Sequence, residues 1–307
     1  MSGMTLVYAI FVAVVVFLEP ALAHAWGPGM HVEVALGAIS KIAIAAPFVR
    51  ELVSKFPDAF LYGSTSPDIV VGKKYAGYFH HCHNWRMGWL ILDEAKNERQ
   101  KAAALGYLVH LAADIVAHNY YIPVKTVRSF RARLLSHTYW EMRFDLGVRE
   151  EAWERLQKIK ELEIDEFDDL LDRVLKKTLF SFSTNKKIFN TILILQKMKA
   201  MRRSLAFYAR HSRFDIEDEN RQHYVDLTME SVLEFLKRPR KAMCLDVDPT
   251  GVKKIEYAKK LRKNIRSKWM LGVISDEDAE GFVEFVKEQL AIGLYRPDMK
   301  LPAANKI

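Results

Sequence analysis

Five residues whose types and spacing suit metal binding lie between Gly106 and Glu141: His110, Asp114 and His118, then His137 and Glu141. Residues four apart on an α-helix project from nearly the same side, each turned by about 40° from the last. The spacing predicts one stripe of donors along a helix over Gly106–Tyr121 and a second over Ser136–Arg143. Leu108, Val109, Leu111, Ala112, Ala113, Ile115, Val116 and Ala117 flank the first stripe, so that helix belongs in an apolar interior. Imidazole and carboxylate left unpaired there carry a heavy desolvation cost, and metal ions relieve it. An ordinary polar face with scattered histidines suits either helix alone but fits poorly with these apolar flanks. Two such helices facing each other have room for more than one zinc.

Two further segments supply the same donor types. Tyr62-Gly63-Ser64-Thr65-Ser66-Pro67-Asp68 reads as a turn that presents the Asp68 carboxylate at a fixed angle, because Pro67 restricts itself and Ser66. Phe79-His80-His81-Cys82-His83-Asn84-Trp85 packs three histidines and a cysteine together. Not all of them can be ligands, and the residues alone leave the choice among His80, His81 and His83 open. Imidazole and carboxylate without an organised set of thiolates point to zinc, in a catalytic rather than a structural role.

The amino terminus adds to this. Leu6–Leu18 is an apolar run too short to span a bilayer comfortably. It ends at Glu19-Pro20 and is followed by Ala21-Leu22-Ala23-His24-Ala25, which offers small-x-small cleavage sites. The segment before the run lacks Lys and Arg. Residues 1–25 read as a secretory signal peptide, with an uncleaved anchor as the alternative, so the expected location is secreted or periplasmic. Cleavage after Ala25 would expose a new α-amino group of pKa near 8 on Trp26, which with the Trp26 carbonyl makes a bidentate chelator. His31 opens an apolar helical stretch over Val32–Ala46. A lone histidine there would pass for a cap, but its nearness to the new terminus makes it a candidate ligand.

Ala25-Trp26-Gly27-Pro28 with His31, Gly63 to Ile69, His110-Leu111-Ala112-Ala113-Asp114 through His118-Asn119, and His137-Thr138-Tyr139-Trp140-Glu141 together resemble the zinc-dependent phospholipase C family of bacteria. The related single-strand-specific zinc nucleases share its fold and metal set. The resemblance covers about residues 26–145 and implies an all-α protein holding two to three Zn2+ ions in a cleft and hydrolysing the phosphodiester of phospholipids. Carried over residue by residue, it places Trp26, His31 and Asp114 around one zinc. Asp114 bridges to a second, held also by Asp68, His110 and a cluster histidine, His83 or His81. His118, His137 and Glu141 hold the third. Asp68 doubles as the base that takes a proton from the attacking water, whose pKa zinc lowers to about 7. One spacing departs from the family: its best-known secreted members have a longer gap than the four residues from Asp114 to His118, so the helix geometry is expected to differ there. Arg86 and Arg143 are the arginines close in sequence to these ligands; either could neutralise phosphate, although a surface salt bridge is the commoner role.

The elements that must position these residues are helical. Ala152–Lys177 repeats apolar residues at spacings of three and four, and further helices are expected around Lys187–Arg210, Glu219–Leu236, Val252–Trp269 and Asp276–Leu294. Ser275 and Asp278 form a capping-box pattern before the last of these. Breaks are expected at Phe180–Asn185, Arg238–Gly251 and Pro297–Pro302. The expected class is all-α, a compact multi-helix bundle like the zinc-dependent phospholipases C with extra C-terminal helices. The expected division is a signal peptide at 1–25, a helical domain at 26–237 and a C-terminal helical extension at 238–307.

The chain has 307 residues, half of them hydrophobic, which is ample for a core. Its two cysteines, Cys82 and Cys244, could pair in an oxidising compartment, or Cys82 could join the histidines as a ligand. No glycine-rich phosphate loop, Ser-His-Asp signature or internal repeat is present. The formal net charge is +8, and basic runs at Lys186–Arg213 and Lys253–Lys268 would attract anionic headgroups or nucleic acid equally, unless they are simply solvated. Three readings follow: a secreted zinc phosphodiesterase acting on phospholipid at a membrane surface, a zinc nuclease stacking bases on Trp85, Tyr120 or Tyr121, and a metal-stapled binding protein without turnover. Nothing in the sequence points to a protein partner.

Overall fold

Proline and asparagine set the helix starts around the centre of the protein. In a computed structural model, which describes residues 26–69, 82–132, 137–162, 164–175, 184–190, 218–296 and 299–302, α1 (Pro28–Ser40), α2 (Pro47–Lys55) and α3 (Pro57–Thr65) each carry proline in the first turn. The missing N–H costs nothing at that position, where no helical partner exists for it. α4 (Trp85–Asp93) and α5 (Glu98–Val116) start instead from Asn84 and Asn97, whose side chains accept the N–H of Arg86 and Gln100 at 2.8 Å. A π-helical turn, Ala117–Tyr121, joins α5 to α6 (Ile122–Arg128). Then come α7 (His137–Asp145), α8 (Glu150–Glu161), α9 (Asp165–Val174), α10 (Asp218–Lys237), α11 (Val252–Met270) and α12 (Asp276–Ile292). The fold is all-α, and the described residues include no strand.

α5 is the axis of the bundle. It is buried without interruption from Ala102 to Val116, as a helix apolar all round must be. α3 packs against it most extensively, with α10, α4, α2 and α1 completing the surround. The close approach of α3 rests on two glycines. A Cβ on Gly63 would lie 1.8 Å from the carbonyl oxygen of Ala103, and a Cβ on Gly106 would lie 2.0 Å from that of Phe60. Only residues without a side chain let the two backbones meet this closely.

The helices after Lys237 pack on the other side of the π turn. α11 lies against α6, and α12 touches α6 as well. Arg266 donates to the carbonyls of Phe130 and Arg131 at 3.0 Å, and Arg262 to that of Ala132 at 2.5 Å. Among the described residues no helix is long and apolar enough to cross a membrane.

Several sequence expectations need correction. The single helix expected over Gly106–Tyr121 begins already at Glu98 and leaves α geometry after Val116. The stretch expected over Val32–Ala46 is helical from Pro28 and ends at Ser40. Tyr62–Asp68 is not a free turn: α3 runs through Thr65, and Ser66–Ile69 continues as a 3-10 turn that Pro67 tolerates. Ala152–Lys177 divides into α8 and α9. Thr184 and Asn185, expected in the break at Phe180–Asn185, are helical, and the rest of that break lies outside the described residues. Cys82 and Cys244 are both buried, and no disulfide joins them. The expected signal peptide, His80, His81 and most of the helix expected over Lys187–Arg210 lie outside the described residues.

Candidate metal centre

The glycine contact between α3 and α5 sets the site. One turn beyond Gly63 the 3-10 turn delivers Asp68, and one turn beyond Gly106 comes His110, followed by Asp114. His83 enters just before the Asn84 cap of α4, and His31 from the first turn of α1. All five side chains belong to residues no more than 2 % exposed. His83 Nε2 lies 3.2 Å from Asp68 Oδ1, 3.4 Å from Asp114 Oδ2 and 3.0 Å from His110 Nε2. His110 Nε2 is 3.2 Å from Asp114 Oδ2, and His31 Nε2 is 3.3 Å from Asp114 Oδ1. The His31 and His110 rings stack with centroids 3.7 Å apart.

Two groups here could hold a metal ion, His31–Asp68–His110 and His83–His110–Asp114, each with donor atoms within 4.8 Å of one another. The donor set is imidazole and carboxylate, which suits zinc in a catalytic setting. The ring nitrogens of His31 and the oxygens of Asp114 are buried and, among the described residues, meet no polar side chain but one another and the neighbouring imidazoles, at 3.2–3.4 Å and without hydrogen-bond alignment, a costly arrangement for a site meant only to pack. His110 donates from Nδ1 to the Ser64 carbonyl at 2.9 Å, which leaves the Nε2 lone pair facing the cluster. Cys82 Sγ lies 3.3 Å from His83 Nδ1, on the outer side of that ring.

Electrostatics favour the protonation states that a metal needs. Burial, reinforced by neighbouring His110, pushes His31 below the ordinary imidazole value despite the pull of Asp114. Burial would raise Asp114, but His110 and His31 outweigh it and hold the carboxyl well below its usual range. Neutral imidazole and ionised carboxylate are the ligating forms.

A second set of donors lies around the π turn. The rings of His118 and His137 meet edge to face with centroids 5.2 Å apart, and His137 Nε2 is 2.9 Å from Glu141 Oε1. His118 therefore leaves the α-helical stripe of His110 and Asp114 and is presented by π geometry, the local change expected from its short spacing. The loop before α11 presses on this turn from behind. Asn119 donates to the Asp248 carbonyl at 2.9 Å, and a Cβ on Gly251, whose φ is +56°, would lie 2.4 Å from the His118 carbonyl oxygen.

Trp26 is fully buried beside the first group. Its indole donates to the carbonyl of Ala113 at 3.1 Å, next to Asp114, while the ring packs on Tyr121 and Phe144. Arg86 is exposed. Arg143 is not on a solvated face: it is buried, with Nη1 3.1 Å from the Tyr139 hydroxyl and its guanidinium over the Tyr139 and Trp140 rings.

Sequence reasoning missed Asp145. Its carboxylate accepts the N–H of Gly29 at 3.0 Å and of Met30 at 3.2 Å, capping α1 from across the fold. Burial pushes its carboxyl up to about 7 against those two hydrogen bonds. A signal existed, because Gly27 offers α1 no side-chain cap and a buried helix start needs an acceptor from elsewhere. Asp145 also continues the four-residue spacing of His137 and Glu141 along α7. It thus ties that helix to the segment carrying Trp26 and His31.

The family model for zinc dependent phospholipase C matches residues 30–187. That is about half of the chain and includes every candidate ligand except Trp26. No curated protein and no solved structure matches. With this match, and with buried imidazole and carboxylate groups able to hold metal, the chain belongs to the zinc-dependent phospholipase C family and is a zinc-dependent hydrolase.

Proposed function

We propose that the protein is a secreted phosphodiesterase that hydrolyses phospholipids to diacylglycerol and a phosphorylated head group. One observation carries the reading: His31, Asp68, His83, His110 and Asp114, from four separate segments, converge in a buried cluster with donor atoms 3.0–3.8 Å apart. Asp68, His83, His110 and Asp114 would hold one zinc. His31 and Asp114, with the amine and carbonyl of Trp26 after removal of residues 1–25, would hold a second. His118, His137 and Glu141 would hold a third.

Zinc supplies Lewis acidity toward phosphate oxygens and a water acidic enough to react at neutral pH. The chain's own residues do the rest. The Ser64 carbonyl fixes the tautomer of His110, so a lone pair faces the cluster. Asp68 is the base that takes the proton of the attacking water at a carboxylate oxygen. Asp145 holds the start of α1, and with it His31, in place. The buried guanidinium of Arg143, two residues after Glu141, is the candidate for balancing phosphate charge.

Lipid is favoured over nucleic acid by the aromatic residues. Tyr120 and Tyr121 are buried, and Trp85 stacks on Phe235 and donates to the Val247 carbonyl. These rings pack the interior, whereas a nuclease would present them to bases. The test is metal analysis of purified zinc-loaded protein followed by assays on short-chain phosphatidylcholine and single-stranded DNA. Chelator-sensitive turnover of the lipid is expected, rising sharply once it forms micelles. Cleavage of DNA alone would replace this reading with a nuclease, and inertness toward both would leave a metal-binding protein.

A further inference from the structure

The turn between α11 and α12 is apolar where a surface turn is ordinarily polar. Met270, Leu271 and Val273 are 59, 75 and 66 % exposed, adjacent in sequence and at the far end of the hairpin. Single exposed apolar residues need no explanation, but three together at a tip do. The tip is also closed by its own backbone. Val273 donates to the Lys268 carbonyl at 2.9 Å and Gly272 to that of Trp269 at 3.1 Å. Those two bonds are the paired closure of a helix end, with Gly272 in the left-handed region at φ +68°. In that motif the residue at the Val273 position commonly packs back on the helix; here it faces outward.

Behind the tip α11 is strongly basic, with eight Lys or Arg against one Glu over Val252–Met270. Lys253, Lys259, Lys260 and Lys263 are exposed. Lys260 and Lys263 share one face with Met270, over about 15 Å of helix. Acidic groups also lie near the tip, on the first turns of α12. Asp276 and Glu280 pair with Arg131, and Asp278 is engaged by Ser275 in the capping box. Glu277 is exposed.

We infer that this hairpin is a membrane anchor: Met270, Leu271 and Val273 enter the interface of a bilayer containing anionic phospholipid, while Lys260 and Lys263 bind its headgroups. The choice of a bilayer as partner rests on the phospholipid reading above; the charge complementarity and the apolar tip stand apart from it. Apolar side chains flanked by lysines are the chemistry of interfacial anchoring, where burial of apolar area adds to electrostatic attraction. The hairpin lies outside residues 30–187, the stretch matched by the family model. Its packing on α6 and the π turn couples the bound surface to the side of the protein that carries His118.

The test uses full-length zinc-loaded protein and vesicles of phosphatidylglycerol or phosphatidylcholine, with binding followed by stopped-flow energy transfer before hydrolysis accumulates. Wild type is expected to prefer phosphatidylglycerol. Leu271→Glu/Val273→Glu should weaken that binding by about tenfold or more, and Lys260→Glu/Lys263→Glu should weaken it and flatten its salt dependence. Turnover of short-chain phosphatidylcholine below its micelle concentration should be unchanged in both. Failure of wild type to bind, or wild-type binding by both variants, overturns the anchor. So does Leu271→Glu/Val273→Glu acting instead by dissociating a dimer, or single-stranded DNA competing for the lysines more strongly than lipid. If vesicles are bound as expected while monomeric lipid is untouched, the anchor stands and the hydrolytic reading falls; turnover without vesicle binding is the reverse.

Discussion

A methyl group on Gly106 would sit 2.0 Å from the carbonyl oxygen of Phe60. Because His110 follows Gly106 by one turn and Asp68 follows Phe60 by two, the spacing of α3 and α5 is also the spacing of the candidate ligands. Gly106→Ala should destabilise the fold by about 1–3 kcal/mol through overpacking and lower zinc affinity with it. Gly281, exposed on α12 with nothing within 4 Å of a Cβ, supplies the contrast: Gly281→Ala should stabilise by about 0.5–1 kcal/mol. Urea melts with zinc content measured in parallel check both. A Gly106→Ala protein with native stability and zinc would sink the packing argument.

Asp114 touches the imidazoles of His31, His83 and His110. Its removal should therefore leave repelling metal ions and unpaired donors. Asp114→Asn is expected to lose more zinc than His118→Ala and to abolish hydrolysis. Full zinc occupancy in Asp114→Asn, read by atomic absorption, would refute the bridging role.

Asp145 gives a pH dependence of defined sign. Its carboxyl is raised to about 7 in the folded protein from an ordinary value of 3.8, so between those values the folded state holds a proton that the unfolded state has lost. This group makes stability fall as pH rises through that window, with no slope from it below or above. Asp145→Asn, which resembles the protonated carboxyl, should remove that part of the slope in urea midpoints measured from pH 4.5 to 8. Asp145→Ala should cost about 1–3 kcal/mol at any pH, because the Gly29 and Met30 amides lose their acceptor.

Processing bears on the candidate zinc shared by His31 and Asp114. If the Trp26 amine is a ligand, amino-terminal sequencing of exported protein should begin at Trp26. A chain starting elsewhere would lack that chelate.

The donors were legible in the sequence because helical spacing is local: His110 and Asp114, or His137 and Glu141, reveal their shared face without reference to the rest of the fold. The capping box of Ser275 and Asp278 and the bounds of α10, α11 and α12 were readable for the same reason. Long-range geometry was not. The Ser64 carbonyl that orients His110 is a backbone group invisible to residue type. The cap of α1 by Asp145 spans more than a hundred positions. α8 and α9 share one apolar rhythm, so the end of α8 at Glu161 and the start of α9 at Asp165 left no mark on periodicity. The aromatic residues beside His118 gave no hint whether they faced solvent or core.

The π turn at Ala117–Tyr121 is what an α-helix becomes when it absorbs one residue more than its pitch allows. Deleting Ala117 would return this stretch to regular pitch with α6 still in register, because the turn already takes up that residue, and would leave His118 three residues from Asp114 instead of four. The direction in which His118 points relative to Asp114 is thus set by a residue count within one helix. A single-codon deletion there would re-aim His118 without removing any candidate ligand.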